Sequence, residues 1–295
     1  MKYFSHILSR LLFLSIIISA DFPDKAKLMR KNSVAKTIGR EDRKDGVHSG
    51  NRVLTRIYNH GAIGDLSSSF SGVYPIGSGH AYIFEFSPII AASVVDANGF
   101  RKHIISDGTI GLTDNSPEGT PWGFEPLSGY ANPNQENLAM SDNENSWPDS
   151  WPNRPSDWDG EWNGQYGKYV RADQESYFVV DDYYNSEFEF WPDENDIPQD
   201  TTAASDNHRR GLGIQLDVRG YQWNHPAAED ILIVTYWITN IGTSVLDSVV
   251  FGMYGDADVG GPSSFSDDDA WFDTENDMVF QWDHDNWSTS YGGFK

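Results

Sequence analysis

The sequence predicts an all-β protein, a β-sandwich of immunoglobulin-like or jelly-roll-like form with long loops rich in Trp and Asp. Three observations predict it. Leu212, Ile214, Leu216 and Val218 alternate with Gly213, Gln215, Asp217 and Arg219, the two-residue period of a half-buried strand with one wet face. Residues 231–238 are apolar on both faces and are followed by a turn and a second apolar run, as expected of a strand in the middle of a packed sheet. No segment carries the 3.6-residue period of a useful amphipathic helix.

Taken in order, the chain opens with Lys2 and Arg10 ahead of a short apolar run, 11–18, that ends at Ser19-Ala20. A positive start, a hydrophobic centre and a small terminal residue make 1–20 a secretory signal peptide. The run falls short of the roughly 20 residues that span a bilayer, and no second segment is apolar enough to do so. Residues 21–56 read as a basic flexible leader, and 57–295 as the β-rich domain, divisible at 210/211 into two subdomains. Short strands are expected at 82–86, 89–96, 100–106 and 177–180. Asn98-Gly99 joins the second and third as a tight hairpin turn, because both residues tolerate positive φ. Residues 240–244 supply a turn between 231–238 and a returning strand at 245–254, with Val245, Val249, Phe251 and Met253 on one face. Between 109 and 173 the pattern fails. So long a stretch inside a domain is either packed by its own Trp residues or forms a functional surface.

Charge is unevenly placed. Residues 1–60 carry a net +7 and residues 61–295 a net −30, within a total of −23. Nucleic acid is therefore excluded as a partner for the body of the protein. From Gly220 to Phe294 there is no Lys or Arg but there are thirteen carboxylates, a density that repels itself unless solvated or holding cations. The absence of cysteine excludes disulfides, thiolate zinc sites and cysteine catalysis. Robustness outside the cytoplasm then has to come from core size or bound ions.

Three chemistries follow. Calcium takes six to eight oxygen ligands, and Asp256, Asp258, Asp267, Asp268, Asp269 and Asp273 are the candidates, with Asp277 close by. Asp283-His284-Asp285-Asn286 is a second, weaker group that lacks the glycine and terminal glutamate of a helix-loop-helix calcium loop. The bland alternative is a solvated acidic surface. Glycan contact is suggested by Trp147, Trp151, Trp158 and Trp162, and by Trp282 and Trp287, because flat indole faces stack on sugar rings; the competing reading is that these rings bury themselves. A hydrolase would need a carboxylate pair, with Glu175, Asp181, Asp182 and Glu229 beside strands. No zinc, nucleotide or haem site is expected. His60 and His80 lack paired-histidine spacing, Gly77-Ser78-Gly79 lacks the P-loop lysine, and no G-x-S-x-G elbow occurs.

The stretches 172–177, 220–223, 228–231, 252–261 and 267–273 together resemble the N-terminal region of large secreted bacterial proteins, many of which end in a C-terminal sorting domain. Residues 236–256 are similar to the Asn-Gly turn of immunoglobulin-like surface repeats. The resemblance implies a cell-surface location and a β fold, and it brings no catalytic residues. The chain stops at Lys295 with no sorting domain, so two readings stay open, an exported β-sandwich protein or the first part of a longer one. The functional expectation is an exported, non-catalytic surface protein, structural, adhesive or glycan-contacting, with calcium held in acidic loops. The alternative is a carbohydrate-active hydrolase using a carboxylate pair near the Trp-rich loop.

Overall fold

The computed structural model describes residues 42–65, 70–96, 98–110, 115–117, 122–185, 187–188, 211–241, 245–261 and 264–293. The signal-peptide reading of 1–20 and most of the leader lie outside them. The described chain is an all-β sandwich. Its strands are β1 (Asp45–His48), β2 (Thr55–Tyr58), β3 (Glu85–Val95), β4 (Arg101–Asp107), β5 (Glu125–Pro126), β6 (Ala139–Met140) and β7 (Gln174–Asp181). They continue with β8 (Ile214–Gln222), β9 (Ile233–Asn240), β10 (Asp247–Asp256), β11 (Asp268–Asp273), β12 (Met278–Asp283), β13 (Trp287–Ser288) and β14 (Gly292–Gly293). The helical elements among the described residues are short 3-10 turns.

Two antiparallel sheets face each other. One has the order β10-β3-β4, and the other β5-β7-β8-β9 with β6 also on β7. The core between them is built from Ile90, Ala92, Val94 and Ile104 on one side and Phe178, Val180, Leu216 and Val218 on the other. These residues alternate along their strands, as a two-layer core requires. β3 and β4 form the hairpin expected around Asn98-Gly99, in register from Val95↔Arg101 to Ile89↔Asp107. Gly99 takes φ +83°, and the Asp96 carboxylate accepts the Asn98 and Phe100 amides at 2.9 Å.

Several expected elements take different places. The alternating strand is β8, and it is buried along its whole length, including Gln215, Asp217 and Arg219. Its supposed wet face is covered by the loop from 127 to 165. There Trp151 and Trp162 pack with Tyr130, Tyr177 and Val179 into a second core, with Trp147 and Trp158 at its margin. The apolar run at 231–238 is a sheet edge rather than a centre, since among the described residues β9 pairs with β8 alone. Nor do β9 and β10 form a hairpin. β10 crosses to the other sheet and pairs with β3. Residues 42–58, placed mostly in the leader, form β1 and β2, and Arg43, Arg52 and Arg56 engage Glu125, Asp230 and Asp45. Residues 82–84 precede β3 rather than forming a strand of their own. β7 and β8 pair directly across 210/211.

Candidate metal centre

The acidic residues gather at the open end of one hairpin. β11 and β12 pair from Asp268↔Asp283 to Asp273↔Met278, so Asp267 to Asp269 meet Asp283 to Asp285 across the hairpin base. Carboxylate oxygens of Asp267, Asp283 and Asp285 all lie within 4.8 Å of one another. That spacing suits donors sharing one cation, because calcium–oxygen distances of about 2.3–2.6 Å place two ligands no more than about 5 Å apart.

The turn after β10 closes over this base. Val259 donates its amide to Asp268 Oδ2 at 2.9 Å, and Ser288 Oγ donates to the Gly260 carbonyl. Gly260 takes φ +96°, and a Cβ there would lie 3.1 Å from Asp283 Oδ2 and 2.8 Å from Ser264 Cβ. Only glycine allows both that conformation and that approach. The turn brings Asp258 in. It is 6 % exposed, and among the described residues burial and charge, rather than a hydrogen bond, set the state of its carboxylate. Burial, then the charge of Asp256, push it up to about 6. Asp268 is pushed up to about 7 by burial and by the charges of Asp258, Asp283 and Asp267, against the Val259 hydrogen bond. Its Oδ1 is buried without a partner. Carboxylates raised in this way lack counter-charge.

The other acids have different duties. Asp283, 2 % exposed, accepts the Trp287 amide at 3.0 Å, and Asp285 accepts the same amide at 2.8 Å. Asp269 is turned to His284, Oδ2 to Nδ1 2.6 Å, and this contact raises the imidazole pKa. Asp256 ends β10 opposite Glu85 and accepts the Tyr254 hydroxyl at 2.9 Å. Asp273 stands at the far end of the hairpin, where it accepts the Glu275 and Asn276 amides. It is a turn residue and not part of the centre, and Asp277 sits in the same turn at φ 49°. Asp283 and Asp285, the weaker group in the sequence, thus belong to the main one. Their signal was the strand spacing that brings 283 opposite 268, which becomes readable only once the hairpin register is known. Every donor in the group is an oxygen, the set a hard cation takes and zinc does not favour.

The Trp-rich loop is built differently. Trp151 and Trp162 are 3 % and 2 % exposed, which leaves neither ring a face for a sugar. Their indole N–H groups donate to the Glu161 carbonyl and to Glu175 Oε2. Trp147 donates to the Met140 carbonyl, and Trp158 lies under the Arg154 guanidinium, 4.3 Å from its ring centre. Of the Trp residues read as glycan candidates, Trp282 and Trp287 are the exposed ones, at 38 % and 58 %, and both adjoin the acidic centre. The carboxylates near the loop are spent on structure. Glu175 Oε1 accepts the Arg171 and Ala172 amides, Asp217 accepts the Tyr177 hydroxyl, and Asp181 accepts the Tyr183 amide. Asp182 is fully buried and holds the amides of Leu212, Gly213 and Ile214. Glu229 lies 3.6 Å from Arg52.

No protein-family model, curated protein or solved structure matches the chain. Among the described residues no helix is long and apolar enough to cross a membrane.

Proposed function

We propose that this chain is a non-catalytic β-sandwich module of an exported bacterial surface protein, stabilised by a structural calcium ion at the base of the β11–β12 hairpin. Export rests on the signal-like residues 1–20 and on the resemblance of 252–261 and 267–273 to secreted surface proteins. The ion rests on one observation: Asp267, Asp283 and Asp285 converge next to Asp268, whose carboxyl also feels the charge of the buried Asp258. A divalent cation would supply the missing counter-charge and tie the turn after β10 to the hairpin.

The test is the melting midpoint of the chain in chelator and in millimolar calcium. Extracellular calcium modules bind with dissociation constants of about 10⁻⁴–10⁻³ M, so about 10 mM calcium should raise stability by roughly 1–3 kcal/mol, a shift of several degrees. An unchanged midpoint would sink the cation. A second reading, glycan contact, is favoured by the exposure of Trp282 and Trp287 beside the same centre. Loss of glycan-array signal in Trp287→Ala would support it, and equal signal would remove Trp287 from any such site.

A further inference from the structure

Among the described residues the sandwich is open along one side. Tyr236 of β9 packs against Phe251 of β10 across the core, ring centres 5.4 Å apart, so the two edge strands border the same flank. Among the described residues their inner faces are only partly covered there. Ile238 pairs with the core residue Leu216 and therefore shares its face, yet it is 37 % exposed. Met253 lies two residues from Phe251, on the same face, and is 40 % exposed.

Among the described residues the backbone edge is open too. Pro88 points its carbonyl away from β10, accepting the Gly108 amide, while Asp256 points its carbonyl toward the β3 side, accepting the Phe84 amide. In an antiparallel ladder the sides alternate residue by residue. Gly252 and Tyr254 therefore turn toward β3, and Phe251, Met253 and Gly255 turn their amides and carbonyls to the outer edge. Among the described residues no strand pairs with that edge. It holds no Pro or Lys, the residues that usually protect an edge, and the only break in register lies before Val250.

We infer that the outer edge of β10 accepts one more strand, supplied by a cationic, apolar-alternating segment of another protein. Backbone hydrogen bonds to Phe251, Met253 and Gly255 would set its register. Its apolar side chains would cover Met253 and Ile238, completing the core. The charge follows from position: both edge strands lie in the stretch without Lys or Arg, and while Asp247 at one end of β10 is paired with Arg101, Asp256 at the other end stands opposite a second carboxylate, Glu85. A second copy of this acidic flank would be repelled and an opposite charge attracted. The inference is independent of the calcium site.

The probe is an eight-residue peptide alternating Val and Lys, titrated against the whole chain, with two controls: a Val/Glu peptide and the Val/Lys peptide N-methylated at every second amide. The expected result is binding of the first peptide at least about tenfold tighter than either control. Met253→Lys should weaken it by a similar factor while leaving the melting midpoint close to wild type; Ile238→Lys serves if Met253→Lys does not fold. Equal binding of the N-methylated peptide would reduce the contact to charge attraction and overturn the proposal. So would unchanged binding to both folded variants, or no binding by any peptide. Dimerisation of the wild type that Met253→Lys abolishes would assign the edge to a second copy and also overturn it.

Discussion

Asp258 carries its charge in the wrong place for stability. Its folded pKa, about 6, lies above the ordinary carboxylate value, so the folded state binds the proton more readily than the unfolded chain. Its stabilising contribution is complete below about pH 4 and is lost as pH rises through about 6. At neutral pH Asp258→Asn should therefore raise the melting midpoint in chelator and shrink the calcium-induced rise. Calorimetry with and without calcium reads both changes, and a variant that keeps the full calcium rise would remove Asp258 from the centre. His48 works in the opposite direction. It is completely buried, its Nε2 is 2.9 Å from Ser176 Oγ, and burial pushes it down to about 4, against a weaker upward pull from Gln222. Between pH 6.5 and 4 the unfolded chain binds a proton that the folded chain refuses. Stability then falls as pH drops, by about 3 kcal/mol in all. His48→Gln should narrow the gap between midpoints at pH 7 and pH 4.5. An unchanged gap would show that the imidazole stays neutral by other means or finds a partner.

At the level of elements, the Trp loop and the acidic hairpin contrast. The loop is a wall of the molecule. Arg219 stacks 3.8 Å over the Tyr177 ring and donates to Asn163, while Arg154 donates to the same Asn163 side chain. Burying charged groups in this way is tolerated only where each finds partners. Trp162→Ala should therefore cost about 3–5 kcal/mol in denaturant unfolding, whereas Trp287→Ala should stay within about 0.5 kcal/mol. Similar losses at both positions would contradict the division between wall and exposed surface. The hairpin β3–β4 was readable locally, since Asn98-Gly99 and alternation on both sides are enough. The burial of Gln215, Asp217 and Arg219 was not, because the cover for those side chains comes from residues more than forty positions earlier.

For the whole molecule, the all-β class and most strand positions were legible because a two-residue period is written in neighbouring side chains. Pairing was not. The runs at 231–238 and 245–254 look like one hairpin in sequence, yet β9 joins β8 and β10 joins β3, a choice made by the two sheets and not by the turn between them. The acidic centre was legible as composition, and its membership depended on hairpin register. Asp273 and Asp285 are six residues past Asp267 and two past Asp283, and only the second pair ends up on the ion-sized spacing.

The Asp182 carboxylate lies one residue past the end of β7 and grips the amides of 212–214, where the chain enters β8. The Ser106 hydroxyl of β4 donates to the same carboxylate at 3.0 Å. One buried side chain is therefore a rivet driven through both layers, holding the β7–β8 ladder at its end and fastening it to the opposing sheet.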